Sequence, residues 1–206
     1  MLTLGDSLSL ASLDLKILPL RVVELARDCY RSRLAAEEAS LKRELASAQE
    51  KFAAQGVQGG PCFWELIEIG KRSVNLRAKG VTEELKRSAV SHGVPYSKGV
   101  AKELNQAFAV IFGFDWQNVR STVVDHAKVH ANPDMAFQQT DASLQQTADA
   151  ARREAETELA HFVVKLESEG RRQRQSVWTA ILSGGLAGGI VSAIAQIAVR
   201  MFHLGP

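Results

Sequence analysis

Two imidazoles stand four residues apart in Asp125-His126-Ala127-Lys128-Val129-His130, a spacing that puts both on one face of a helix and can hold zinc. The hydrolases that use such a helical pair carry a glutamate directly after the first histidine as general base. Ala127 occupies that place here, and the nearest carboxylates are Asp125 and Asp134. No cysteine or third histidine is close in sequence, so the pair reads as two half-exposed helix histidines and no metal is expected. Glu65, Glu68 and Lys71, just after Trp64, could imitate an acidic nuclease patch. With Phe63, Ile67 and Val74 on the opposite side they fit the solvated face of an amphipathic helix better. The glycine-rich GVQGGP at 56–61 lacks the lysine and Ser or Thr of a phosphate loop. Catalysis has no positive sign; no enzyme and no cofactor is expected.

Cationic residues form a second set. Lys71, Arg72, Arg77, Lys79, Lys86 and Arg87 cluster around Gly80 and form either a solvated face or a surface for an anionic ligand or protein partner. Arg171, Arg172 and Arg174 form a shorter run, RRQRQ at 171–175. With a net charge of only +2 over 206 residues, no specific nucleic-acid partner is expected. Cys29 and Cys62 belong to no ligand-spaced group and are expected to be reduced, in a cytosolic setting.

These residues must be positioned by helices, because strand signals are nearly absent: there is no Asn-Gly or Asp-Gly turn and no sustained period-two alternation. Pro19 suits the start of a long helix from about Leu20 to Gln55, closed by Gly56. Leu34, Leu41, Leu45, Ala48 and Phe52 give it a coiled-coil-like stripe that Glu38 interrupts. The middle of the chain reads as a series of short helices. Thr82 caps one that ends near His92, with Gly93 and Pro95 as the stop. Ser97 caps another, carrying Val100, Leu104, Phe108 and Ile111; Gly113 ends it, and Asp115 caps the next, to about His130. Asn132-Pro133-Asp134 opens the last helix, whose stripe of Leu144, Ala148, Ala151, Ala155, Leu159, Phe162 and Leu166 follows a nearly 11-residue repeat. Gly170 is its one weak point, a hinge or a residue of a continuous stalk.

The strongest boundary comes next. The 46% apolar composition is ordinary, yet Ser176 to Val199 holds no formal charge while the preceding stretch is dense in Arg, Glu and Gln. Trp178 to Val199 as a helix spans about 33 Å, against a hydrocarbon core of about 30 Å. Arg171, Arg172, Arg174, Trp178 and Arg200 would lie at the membrane interface, and three arginines before the segment against one after it place the N-terminal side in the cytoplasm. The N-terminal MLTLGDSLSLASLDLKILPL shows no secretory leader, so any crossing is expected at the other end. At 100° per residue, Leu182, Leu186, Ile190, Ile194, Ile197 and Met201 share one side. The other side carries Gly184, Gly185, Gly188, Gly189, Ser192 and Gln196. Two small-residue ladders, Ala180–Gly184–Gly188–Ser192 and Gly185–Gly189–Ala193, suit close backbone approach between helices in lipid. Ser192 and Gln196 would be inter-helix hydrogen-bonding groups or the polar lining of a narrow conduit.

The expectation is therefore an all-α chain: an N-terminal long helix (1–56), a compact short-helix region (57–131), a helical stalk (132–175), one C-terminal transmembrane helix (176–200) and a short tail (201–206). Its partners would be membrane lipid and further copies of itself. Functionally this suits a regulated oligomeric membrane effector, a channel or membrane-disrupting protein gated by its cytosolic helical domain. The alternatives are a tail-anchored adaptor or scaffold and, more remotely, a metal-dependent enzyme using His126 and His130.

Overall fold

The computed structural model describes residues 13, 15–57, 59–94 and 97–184, the last sixteen of these by backbone alone. Among the described residues there are four helices and no strand: α1 (Leu20–Ala54), α2 (Gly60–Ser91), α3 (Lys98–Ala127) and α4 (Pro133–Gly184). The described part of the chain is all-α, in keeping with the helical periodicity. The chain divides into two compact units, 1–163 and 164–206.

Helix boundaries follow local chemistry. Pro19, with φ −59°, precedes the first residue of α1, its ring already holding the backbone near helical φ. Gly56 closes α1 at φ +65°. Its N–H bonds to the Ala53 carbonyl at 3.0 Å, and the Val57 N–H reaches the Phe52 carbonyl at 3.0 Å. That pair of bonds is a Schellman cap, which needs a residue at positive φ. Gly93 repeats the device after α2, with Gly93 N–H to Val90 O at 3.1 Å and Val94 N–H to Ala89 O at 3.2 Å. The start of α4 is fixed by Asn132, whose Oδ1 accepts the Asp134 N–H at 3.0 Å.

The short connections 55–59, 92–97 and 128–132 leave successive helices as antiparallel neighbours. Cross-links occur in the matching order. Gln49 of α1 meets His126 and His130 near one end; Gly70 of α2 lies beside Val123 of α3 and Leu144 of α4; Gly80 faces Tyr30 of α1; Lys86 of α2 pairs with Glu158 of α4. The first unit is thus a four-helix up-and-down bundle. Its core includes Leu45 from α1, Leu66 and Leu85 from α2, Leu104 and Phe108 from α3, and Leu144 and Leu159 from α4, all fully buried. Phe63, Ile67, Ala127 and Ala136 form a smaller cluster.

Residues 57–131 correct the expectation of short helices: they hold two helices of 32 and 30 residues. The first runs unbroken through Gly80, over which the Tyr30 ring packs; a Cβ there would sit 3.2 Å from Tyr30 Cε2. Thr82 is no cap, since its hydroxyl donates back to the Ala78 carbonyl at 2.9 Å within the same helix. Gly113 and Asp115 likewise lie inside α3. The α4 stripe is buried at Leu144, Ala148, Ala151, Ala155 and Leu159, then shifts to Val163, with Phe162 partly buried. Gly170 lies within helical backbone.

Candidate functional site

The centre of the bundle holds a buried polar network. Asp115 of α3 accepts a hydrogen bond from the Tyr30 hydroxyl of α1 and an ion-paired one from Arg77 Nη1 of α2. Arg77 is 1% exposed and Asp115 4%, so neither charge is solvated. Burial pushes the Asp115 carboxyl up, and the Arg77 guanidinium and Tyr30 hydroxyl work against that. The Tyr30 phenol is driven far above its ordinary range by burial and then by the neighbouring Asp115 charge. A buried pair of this kind adds little net stability but is costly to break from one side.

From this network a cleft of about 550 Å³ opens between α1 and α2, lined by Arg33, Glu37, Arg72, Ser73, Arg77 and Lys79 among others. Glu84, 2% exposed, anchors its edge by accepting from Arg33 at 3.0 Å and Arg87 at 3.1 Å. Glu37 faces the same space. Burial pushes its carboxyl up, Arg77 and Arg33 pull it down, and Asp115 adds to the rise. Three atoms here are buried without a hydrogen-bond partner among the described residues: Arg77 Nε, Arg77 Nη2 and Glu37 Oε2.

The cationic set around Gly80 is therefore not one solvated face. Lys71 pairs with Glu68 at 2.6 Å, Arg72 lies 3.9 Å from Glu65, and Lys86 bonds to Glu83 and Glu158. Burial works against the charge of Lys86, but its hydrogen bonds to Glu158 and Glu83 outweigh this and raise its pKa. Arg77 alone of the six turns into the core. Sequence reading placed it among surface cations and gave Asp115 the role of a helix cap. It missed Tyr30, Glu37 and Glu84 altogether. The available signal was an arginine and an aspartate at positions continuing apolar helix faces, between Val74 and Val81 in one case and Phe112 and Val119 in the other.

His126 and His130 come together, but through an amide. Gln49 Oε1 lies 2.9 Å from His126 Nδ1 and Gln49 Nε2 3.0 Å from His130 Nε2, so one side chain bridges both rings. Among the described residues no three metal-ligating side chains converge. Cys29 and Cys62 are free thiols, the first exposed and the second buried, and burial pushes the Cys62 thiol up. Arg171, Arg172, Arg174, Trp178, Ala180 and Gly184 fall on α4 where the backbone alone is described. Gly185, Gly188, Gly189, Ser192, Ala193, Gln196 and Arg200 lie outside the described residues. Among the described residues no helix is long and apolar enough to cross a membrane.

A last polar device ties residues 16–18 to α3. The Glu103 carboxylate accepts the backbone N–H groups of Lys16 at 2.9 Å, Ile17 at 3.1 Å and Leu18 at 2.6 Å. Burial pushes this carboxyl up, but the three amides and the Lys16 charge outweigh it and hold the group below the usual carboxylate range. No family model matches the chain, and neither the curated proteins nor the solved structures contain a significant match to it.

Proposed function

We propose that the protein is a single-pass, C-terminally anchored membrane protein that self-associates through residues 176–200. In this reading it acts as an oligomeric membrane effector, a channel or membrane-disrupting protein governed by its helical bundle. One observation carries the reading: 24 consecutive residues, Ser176 to Val199, hold no charge and gather Gly184, Gly185, Gly188 and Gly189 on one helical side. In water, four glycines in a helix would cost about 1 kcal/mol each relative to alanine. In lipid they let backbones approach, which is where contact between helices is gained. The helical backbone of α4 as far as Gly184 supports it, since the last turns already belong to the charge-free segment. The Arg171, Arg172 and Arg174 cluster suits a cytoplasmic N-terminal side.

Ser192 and Gln196 distinguish an active segment from an anchor. In hydrocarbon an amide needs a partner, which a ring of copies around a narrow lumen supplies. The test is expression of the full chain in cells loaded with a potential-sensitive dye. Collapse of the potential is the expected result, and Gln196→Leu should alter conductance while sparing assembly. An intact potential with protein present in the membrane would remove the effector reading. Replacing 176–200 by an unrelated monomeric anchor separates the alternative: function retained after the exchange would identify an adaptor that recruits a partner.

A further inference from the structure

We propose that the cleft between α1 and α2 binds a small organic anion that also carries a hydrogen-bond donor, its carboxylate or phosphate received by Arg77 and its ammonium or hydroxyl by Glu37. The geometry of the guanidinium is the starting point. Arg77 engages Asp115 through Nη1. Its two atoms without a partner among the described residues, Nε and Nη2, form the other edge of the planar fork. That edge receives a carboxylate or phosphate by two parallel hydrogen bonds. In a side chain only 1% exposed, donors left unmet cost free energy that a bound oxyanion recovers.

Glu37 supplies the second half. Its Oε2 is buried and unpartnered among the described residues, and it lines the same cleft as Arg77. A carboxylate oxygen can only accept, so the complementary ligand group is an ammonium or a hydroxyl. Of the rim cations, Arg33 and Arg87 are engaged by Glu84 and Arg72 has Glu65 nearby, while Lys79 lines the cleft from an exposed position. A volume of about 550 Å³ falls within the range of small-molecule sites. The site lies wholly in residues 33–87 and stands whether or not the C-terminal segment enters lipid.

The test is isothermal titration of the full chain in detergent with O-phosphoserine, which carries both groups, and with inorganic phosphate. O-phosphoserine should bind saturably at one site, and phosphate at least about tenfold more weakly for want of the ammonium–Glu37 bond. Glu37→Gln should bring the two probes to similar affinity with an unchanged melting curve. Arg77→Lys should abolish binding of both. Because Arg77 also holds Asp115, Ser73→Trp serves as the second variant: it fills the cleft while leaving both members of that pair in the chain, and should abolish binding too. Absence of saturable binding of either probe to the folded wild-type protein, or undiminished O-phosphoserine binding in Glu37→Gln or Ser73→Trp, would overturn the proposal.

Discussion

Replacing Glu103 by glutamine isolates the clamp that fastens the chain ahead of α1 to α3. The substitution keeps size and shape but removes the charge and turns one acceptor oxygen into an NH₂ group. Either Leu18, bonded at 2.6 Å, or Lys16, at 2.9 Å, then faces a donor, and Ile17 keeps at most one of its two contacts. Hydrogen bonds to a charged group contribute about 1.5–3 kcal/mol each. Losing one outright and weakening another should therefore cost about 2–4 kcal/mol. For a chain of this size that corresponds to a melting-temperature drop of about 4–16 °C, read by circular dichroism of the full chain in detergent. The pH dependence has a definite sign. The folded carboxyl lies below its ordinary value of 4.5, so the clamp's contribution is complete above that value. It is lost as pH falls through the folded pKa. The gap between wild type and Glu103→Gln should be full at pH 7 and close in acid. A gap under about 0.5 kcal/mol at pH 7, the range of an ordinary surface change, or one that widens on acidification, would refute this reasoning.

Three further outcomes follow from the packing. Gly70→Ala should destabilise by about 1–3 kcal/mol, the usual cost of overpacking, because its Cβ would lie 2.9 Å from Val123 Cγ2 and 3.0 Å from Leu144 Cδ2; denaturant titration reads this. Gly113→Ala should instead stabilise by up to about 1 kcal/mol, since the site is helical with nothing within 4 Å of a new Cβ. Asp115→Asn should cost about 3–5 kcal/mol by leaving the Arg77 charge uncompensated in the core; a melting curve unchanged from wild type would show that the pair is not buried as described.

Much of the frame is written locally. Pro19 and Gly56 bracket α1, and Asn132 opens α4, because caps and stops are chosen by residues within a few positions of the boundary. Gly93 marks the end of α2 by the same chemistry. The middle helices are hidden from a local reading for the opposite reason. Gly80 and Gly113 look like stops to any reading based on propensity, yet the packing of α2 and α3 against their neighbours outweighs a helix cost of about 1 kcal/mol per glycine. At Gly80 the missing side chain makes room for the Tyr30 ring. The polar centre was illegible on different grounds. Tyr30, Arg77 and Asp115 lie on three helices, and no periodicity within one helix connects them. An aspartate after a glycine suits a cap, and only the neighbouring α2 shows that Asp115 faces an arginine instead. The cationic residues around Gly80 stand out in the sequence, but helix spacing alone does not reveal that Arg77 turns inward while Lys71 stays at the surface.

Subunit stoichiometry of the full chain in lipid nanodiscs measures most directly what the charge-free segment does. Wild type and Ile190→Leu should form the same oligomer, and Gly188→Leu should dissociate it by holding the helices apart. A chain that stays monomeric and folded in buffer without detergent, or equal stoichiometry across all three proteins, would contradict the account.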